Sequence, residues 1–265
     1  MRNVRILVSY DGSQFFGWQR QDGFVSVQEV LEEAVTAATG TTVNVHGAGR
    51  TDTGVHALGM VAHLHVDTRL TDDRLRNALN AHVSPGVVVR RLETCRDDFH
   101  ARFDALSKRY LYVIATSRFE PPFGRAHRHW VSYPLDLDRM RRAAADLVGT
   151  HDFRAFGNTG SPRKTTVRTL TGLRFVARSD RLAFVVQANG FLYNMVRTIA
   201  GTLLDVGRGK LPPECVRRAL ASGDRDDAGH TAPARGLYFL SAQYDEPLFA
   251  GPDEGPHGQA GVFRL

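Results

Sequence analysis

The sequence predicts an α+β fold of two similar halves, each a sheet with helices on one face. Three observations carry that prediction. The first hundred residues read in the order β-α-β-β-α-β, and the second half repeats the order loosely. Strand segments alternate apolar and polar residues, whereas helical segments keep a 3.6-residue period. Turn and cap residues stand where one pattern gives way to the next.

Taken in order, "VRILVSYDG" is the first strand. The first helix opens at Ser26 in "SVQE", where Ser26 caps and Glu29 reaches back, and it stops at Gly40. "TVNVHG" and "MVAHLHVDT" are strands flanking a glycine-rich stretch. "TDDRLRNALNAH" is a helix capped by Thr71, and "PGVVVRRLE" returns as a strand. In the second half "SKRYLYVIAT" is a strand, and "LDLDRMRRAAADLVG" is a helix capped at Asp136 or Asp138. A hairpin turns at Ser179-Asp180, and Phe191–Gly207 is a long helix. "LPPECVRRALASG" makes a shorter helix, with its prolines where a first turn tolerates them, and "ARGLYFLSAQYD" is the last strand. The pattern divides the chain into 1–104, 105–246 and a Gly/Pro-rich tail, 247–265, expected to be mobile.

At 265 residues, 42% hydrophobic and 23% charged, the composition is that of a globular protein with a sizeable core. Cys95 and Cys215 are too few for a disulfide framework, so a reducing, cytoplasmic setting is expected. The opening run is too short for a signal peptide, and no apolar run is long enough for a membrane span. The net charge is +6 and the pI about 9.7, which favours a polyanionic partner. Of the 34 basic side chains all but Lys108, Lys164 and Lys210 are arginine, a skew that genomic base composition explains. Basic residues concentrate in Arg118–Trp130 and Arg163–Arg181.

The stretch "GAGRTDTGVHA", Gly47–Ala57, concentrates glycines around one acid. Asp52-Thr53-Gly54 is the tripeptide of aspartic proteases, but those need two carboxylates sharing a proton, and Arg50 would hold a lone one ionised. A dinucleotide loop fails on glycine spacing. A metal site would have to use the pairs His63/His65 and His127/His129, each alternating onto one strand face and neither with a third ligand nearby. A plain turn needs no chemistry at all, and for the stretch by itself that reading is the stronger one.

A second oddity shifts the balance. The helix Phe191–Gly207 is apolar nearly all round, and Arg197 is its one basic residue. A guanidinium on a buried helix needs a carboxylate, a carbonyl or water. Ala200 and Gly201 leave room for another backbone to approach. A lone acid in a glycine loop and a lone arginine in an apolar helix suggest each other.

With these residues in view the chain resembles the tRNA pseudouridine synthase A family. The resemblance runs from Tyr10 to Leu240 and includes "YDGSQFFGWQRQ", "GAGRTDTGVHA", "FHARFDALSKRYLY", "HDFRAF", "NGFLYNMVRTIAGTLL" and "APARGLYF", in family order. It implies a pseudouridine-synthase fold, with two ferredoxin-like halves whose sheets join into one mainly antiparallel sheet around a basic cleft. It implies conversion of uridine to pseudouridine at positions 38, 39 and 40 of the tRNA anticodon stem-loop, by a homodimer without cofactor or metal. Residue by residue, it makes Asp52 the nucleophile and Arg197 its ion-pair partner. Tyr110 stacks on the uracil and helps remove the C5 proton, Arg50 helps displace the base from its stack, and Leu237 is an apolar contact to it. Covalent attack by Asp52 and assisted loss of a C2′ proton both remain open. The competing reading is a non-catalytic RNA-binding module of ferredoxin-like fold.

Overall fold

The computed structural model describes residues 1–158 and 165–249. Arg163 and Lys164 of the second basic segment, and the tail from residue 250 on, lie outside the described residues. The chain divides into two compact units. One joins Met1–Leu106 to the chain from Tyr238 on, and the other is Ser107–Leu237.

In the first unit β1 (Arg2–Tyr10) runs antiparallel between β3 (His56–Val66) and β4 (Val87–Thr94), with Ile6 opposite Ala62 on one side and Leu92 on the other. Val4, Ile6 and Val8 alternate onto the buried face, as a half-buried strand requires. Strand β2 is only His46–Gly47, paired antiparallel with β3. The alternation in "TVNVHG" predicts a longer strand. Val43 and Val45 are indeed buried, but the Val45 amide donates to the Glu32 carboxylate (3.1 Å) and not to a neighbouring strand. Alternation therefore reports burial there, not pairing.

Helix α1 (Val27–Thr39) keeps the expected capping box, Ser26 accepting from the Glu29 amide at 3.2 Å and Glu29 from the Ser26 amide at 3.4 Å, and it ends at left-handed Gly40. Its buried stripe is Val27, Val30, Leu31, Ala34 and Val35. Helix α2 (Asp72–His82) starts after Thr71 as expected, but Thr71 makes no side-chain cap. Asp72 anchors that end instead, accepting from Arg2 Nη1 (2.7 Å) and the Thr94 amide (2.8 Å).

The second unit pairs β5 (Ser107–Ala115) antiparallel with β9 (Arg181–Ala188), β9 with β8 (Val167–Ala177), and β8 with β7 (Gly149–Asp152). The β8–β9 turn contains Ser179-Asp180, as the sequence indicates, and is closed by the Arg178 amide on the Arg181 carbonyl at 2.8 Å. Strand β6 (His129–Trp130) adds to β5 in parallel. Helix α3 (Leu137–Ala145) is capped by Asp136, which accepts from the Arg139 amide at 2.9 Å. Helix α5 is Cys215–Ser222.

Helix α4 (Met195–Gly207) begins four residues later than its apolar run predicts. Asn194 sits in the left-handed region, with φ of +61°, which ends the helix on its N-terminal side. From Met195 to Gly207 every residue but Arg197 is buried. The room expected at Gly201 is used: a β-carbon there would lie 1.8 Å from the His230 carbonyl oxygen.

The last strand, β10 (Leu237–Gln243), is assigned to the second half by the pattern along the chain. It hydrogen-bonds in parallel with β3, Tyr238 opposite His56 and Phe239 opposite Ala57. Pairing of this kind is nonlocal, and sequence periodicity carries no record of it. Most pairings are antiparallel, and the α+β class expected from the sequence is the one observed.

Candidate active site

The glycine-rich stretch is a braced loop, not a free turn. The Ala48 amide donates to the Val61 carbonyl (2.7 Å), which fixes the loop's start on β3. At its centre the Thr51 carbonyl accepts from the Trp18 amide (3.0 Å), and the Thr51 hydroxyl meets the Tyr10 hydroxyl at 2.8 Å. The Val55 amide closes a turn on the Asp52 carbonyl (3.1 Å), with Gly54 at φ of +79°. Where the stretch enters β3, His56 is buried, its Nδ1 accepting from the Gly12 amide (3.0 Å) and its ring stacked on Tyr238 with centroids 4.7 Å apart.

This bracing decides what the side chains can do. Thr51 points inward and is 7% exposed, whereas Arg50 before it is exposed and Asp52 after it is half-buried. The alternation is that of an extended segment, so Arg50 and Asp52 project on the side away from the core. A carboxylate fixed on such a segment, with both flanks tied to the fold, meets a reacting atom with little reorganisation.

The other three predicted residues lie in the second unit. Arg197, the one residue of α4 that is not buried, donates from Nε to the Ala232 carbonyl (2.8 Å) and from Nη1 to Asn194 Oδ1 (2.9 Å). The Ala232 amide returns a bond to the Arg197 carbonyl (3.0 Å). The guanidinium is thus aimed by two acceptors. Tyr110 lies in β5 opposite Val186, is 8% exposed, and meets Phe191 edge-to-face at 5.0 Å. Leu237 is buried at the start of β10. One segment links them: Ala232 binds Arg197, and the Pro233 carbonyl accepts from the Tyr112 hydroxyl (2.9 Å) two residues along β5 from Tyr110. Burial raises the Tyr112 hydroxyl pKa, so it serves as a neutral donor.

Sequence reasoning names no role for Tyr10, Trp18 or Phe191. The first two hold the Asp52 loop and the third packs on Tyr110. The available signal was the density of aromatics and glycines in "YDGSQFFGWQRQ" and the aromatic at the edge of the Arg197 helix.

The histidine pairs behave differently from each other. His63 is 3% exposed; its Nδ1 accepts from the Ala101 amide (3.2 Å), and its ring packs on His46 (5.1 Å) and His100 (4.5 Å). Burial, and then the neighbouring His100 and His46, hold its pKa down to about 4. His127 and His129 do not share a strand face: His127 ends a 3-10 turn and His129 opens β6.

The family model described as tRNA pseudouridine synthase matches residues 6–104 and 143–245. A tRNA pseudouridine synthase A from Thermoanaerobacter sp. (strain X514) is 46% identical over 244 residues, 92% of this chain and 100% of that one. One from Allorhizobium ampelinum is 45% identical over 249 residues, 92% of this chain and 95% of that one. A solved Cbf5–Nop10–Gar1 complex is matched at 11% identity and a TM-score of 0.35, over 76% of this chain and 45% of that one, too loose a likeness to add weight. The chain belongs to the tRNA pseudouridine synthase family, and its enzyme class is isomerase.

Proposed function

We propose that this chain isomerises uridine to pseudouridine in tRNA, at positions 38, 39 and 40 of the anticodon stem-loop, with Asp52 as the catalytic carboxylate. The observation that carries the reading is the braced loop: Asp52 is held between Trp18, Tyr10 and β3 on a segment whose neighbour Arg50 faces solvent. The reaction breaks the N1–C1′ bond, turns the uracil and forms C5–C1′. The proton lost from C5 is balanced by one gained at N1, so no outside reactant or cofactor is consumed. An anionic group at the sugar or base supports both bond changes, as nucleophile or as base.

Arg197 is the partner that keeps Asp52 ionised and oriented, its guanidinium already aimed by Ala232 and Asn194. Tyr110 stacks on the uracil, with its ring fixed by Phe191, and assists removal of the C5 proton. Leu237 adds an apolar contact to the base. Arg50 helps displace the target from its stack, a step of a few kcal/mol. The working protein is a homodimer in the cytoplasm.

The test is incubation with tRNA carrying tritium at uracil C5, reading tritium release, with the modified positions mapped in the product. Absence of release from every tRNA tried would overturn the reading. Release from positions outside the anticodon stem-loop would overturn only the site assignment.

A further inference from the structure

Beside the Asp52 loop the chain exposes aromatic surface for which the fold itself has no use. In "FFGW", Phe15 and Trp18 are buried at 4% and 3% exposure, but Phe16 is 49% exposed. Across a short loop Phe24 and Val25 are 48% and 55% exposed. The Phe16 and Phe24 rings touch, with centroids 4.6 Å apart and planes at 45°.

The pair is held rigidly. The Phe16 amide donates to the Val25 carbonyl (3.0 Å), and the Phe24 amide to the Gln21 carbonyl (3.3 Å). The Val27 and Gln28 amides, at the start of α1, bind the carbonyls of Gly17 (3.2 Å) and Trp18 (3.0 Å). The same loop lies against the catalytic segment. Trp18 donates to Thr51, and a β-carbon on Gly17 would come within 2.7 Å of the Thr51 oxygen and 3.2 Å of the Asp52 carbonyl carbon. Phe16 therefore stands one residue from the backbone that carries the catalytic acid, with the exposed Arg50 on the adjoining segment.

We propose that the Phe16–Phe24 pair is a stacking platform for an unpaired RNA base flanking the target uridine. The proposal rests on the reading of Asp52 as the catalytic acid. A uridine turned out of its stack leaves its neighbours with an uncovered face, and a preformed aromatic surface beside the acid covers one. The chain's charge of +6 and the exposed Arg50 favour a polyanion as the occupant. A second copy of the chain fits poorly, because two half-exposed phenylalanines and a valine offer roughly a few hundred Å², well below a stable protein interface.

The test uses the full chain and an anticodon stem-loop RNA with 2-aminopurine placed on either side of the target. Wild-type protein quenches one of the two probes. Phe16→Ala/Phe24→Ala abolishes that quench and raises KM by about 10- to 100-fold, with kcat at saturating RNA changed far less. Phe16→Tyr/Phe24→Tyr, which keeps two rings, restores both readouts. Unchanged quench and KM in the alanine variant would overturn the proposal, as would conversion of a dimer to a monomer by that variant in sedimentation. If wild-type protein makes no pseudouridine, the parent reading fails on its own, and the quench in the Asp52→Asn complex still decides the platform.

Discussion

The Trp18 indole lies across Gly47 so closely that a β-carbon there would sit 2.6 Å from two of its ring carbons. Trp18 is 3% exposed and its amide holds Thr51, so the ring cannot swing aside without moving the Asp52 loop. Gly47→Ala should lower stability by about 1–3 kcal/mol, the usual cost of overpacking, and reduce turnover as well. Trp18→Phe in the same chain opens the space and should recover part of the loss. Unaltered melting and turnover in the single variant would show that the loop is not braced by this contact.

Asp52→Asn should abolish pseudouridine formation while leaving tRNA affinity within several-fold of wild type. In the proposed mechanism one carboxylate carries the covalent or proton-transfer step, whereas affinity is expected from many phosphate contacts. Substantial tritium release by the purified variant would remove Asp52 from the centre of the mechanism.

Arg197→Met should cost turnover by about a hundredfold or more if, as proposed, its guanidinium is the compensating charge of Asp52. Arg197→Lys should recover little. A lysine keeps the charge but cannot hold the Ala232 carbonyl and Asn194 Oδ1 together with the planar fork of a guanidinium. The discriminating readout is the pH–rate profile. If Arg197 keeps Asp52 ionised, the acid limb moves to higher pH in Arg197→Met and moves less in Arg197→Lys, which keeps the charge. A lower plateau with an unmoved limb would leave Arg197 only a structural role.

The acid stability of the protein should depend on His63. Its folded pKa is held down to about 4, against an ordinary value of 6.5, by burial and by His100 and His46. Between those values the unfolded chain binds the extra proton. The contribution is therefore fully present above about pH 6.5 and is lost as pH falls toward 4, roughly 3 kcal/mol at most. Denaturant unfolding from pH 7 to 4 measures the slope, and His63→Leu should flatten it. An unchanged slope would assign the acid sensitivity elsewhere.

Much of this was legible in the sequence, and the failures share a cause. Local chemistry came through: the Ser26–Glu29 box, the Asp136 cap and the turn at Ser179-Asp180 depend on residues a few positions apart. What depended on distant partners did not. Val43–Val45 alternates like a strand, yet its amide goes to Glu32; Thr71 reads as a cap, yet Asp72 ties that end to Thr94 and Arg2. In the sequence Asp52 is the one acid of a glycine-rich stretch and Arg197 the one basic residue of an apolar helix. The residues that hold them, Tyr10, Trp18, Asn194 and Ala232, look ordinary until the fold brings them in.

The last prediction concerns salt. The arginines of 118–142 and 165–181, which take in most of the two basic concentrations, are not equally available. Arg125 pairs with Glu120 (3.2 Å), Arg141 with Asp138 (3.1 Å) and Arg181 with Asp180 (3.3 Å), all on the surface where such pairs are weak. Arg128 is turned inward onto the Phe123 and Gly124 carbonyls, whereas Arg118 is exposed and lies over Phe119. A phosphate competes easily for the surface-paired group and poorly for Arg128. Each arginine that neutralises a phosphate contributes a slope of roughly −0.7 to −0.9 in a plot of log affinity against log salt. Removing Arg118 should make the measured slope shallower by about one such step, and removing Arg128 should instead loosen its loop with little change in slope. Titration of tRNA binding across a range of monovalent salt checks both. A flat dependence in wild type would mean that these segments are only a solvated face, and equal slopes for wild type and Arg118→Ala would place the phosphate contacts elsewhere.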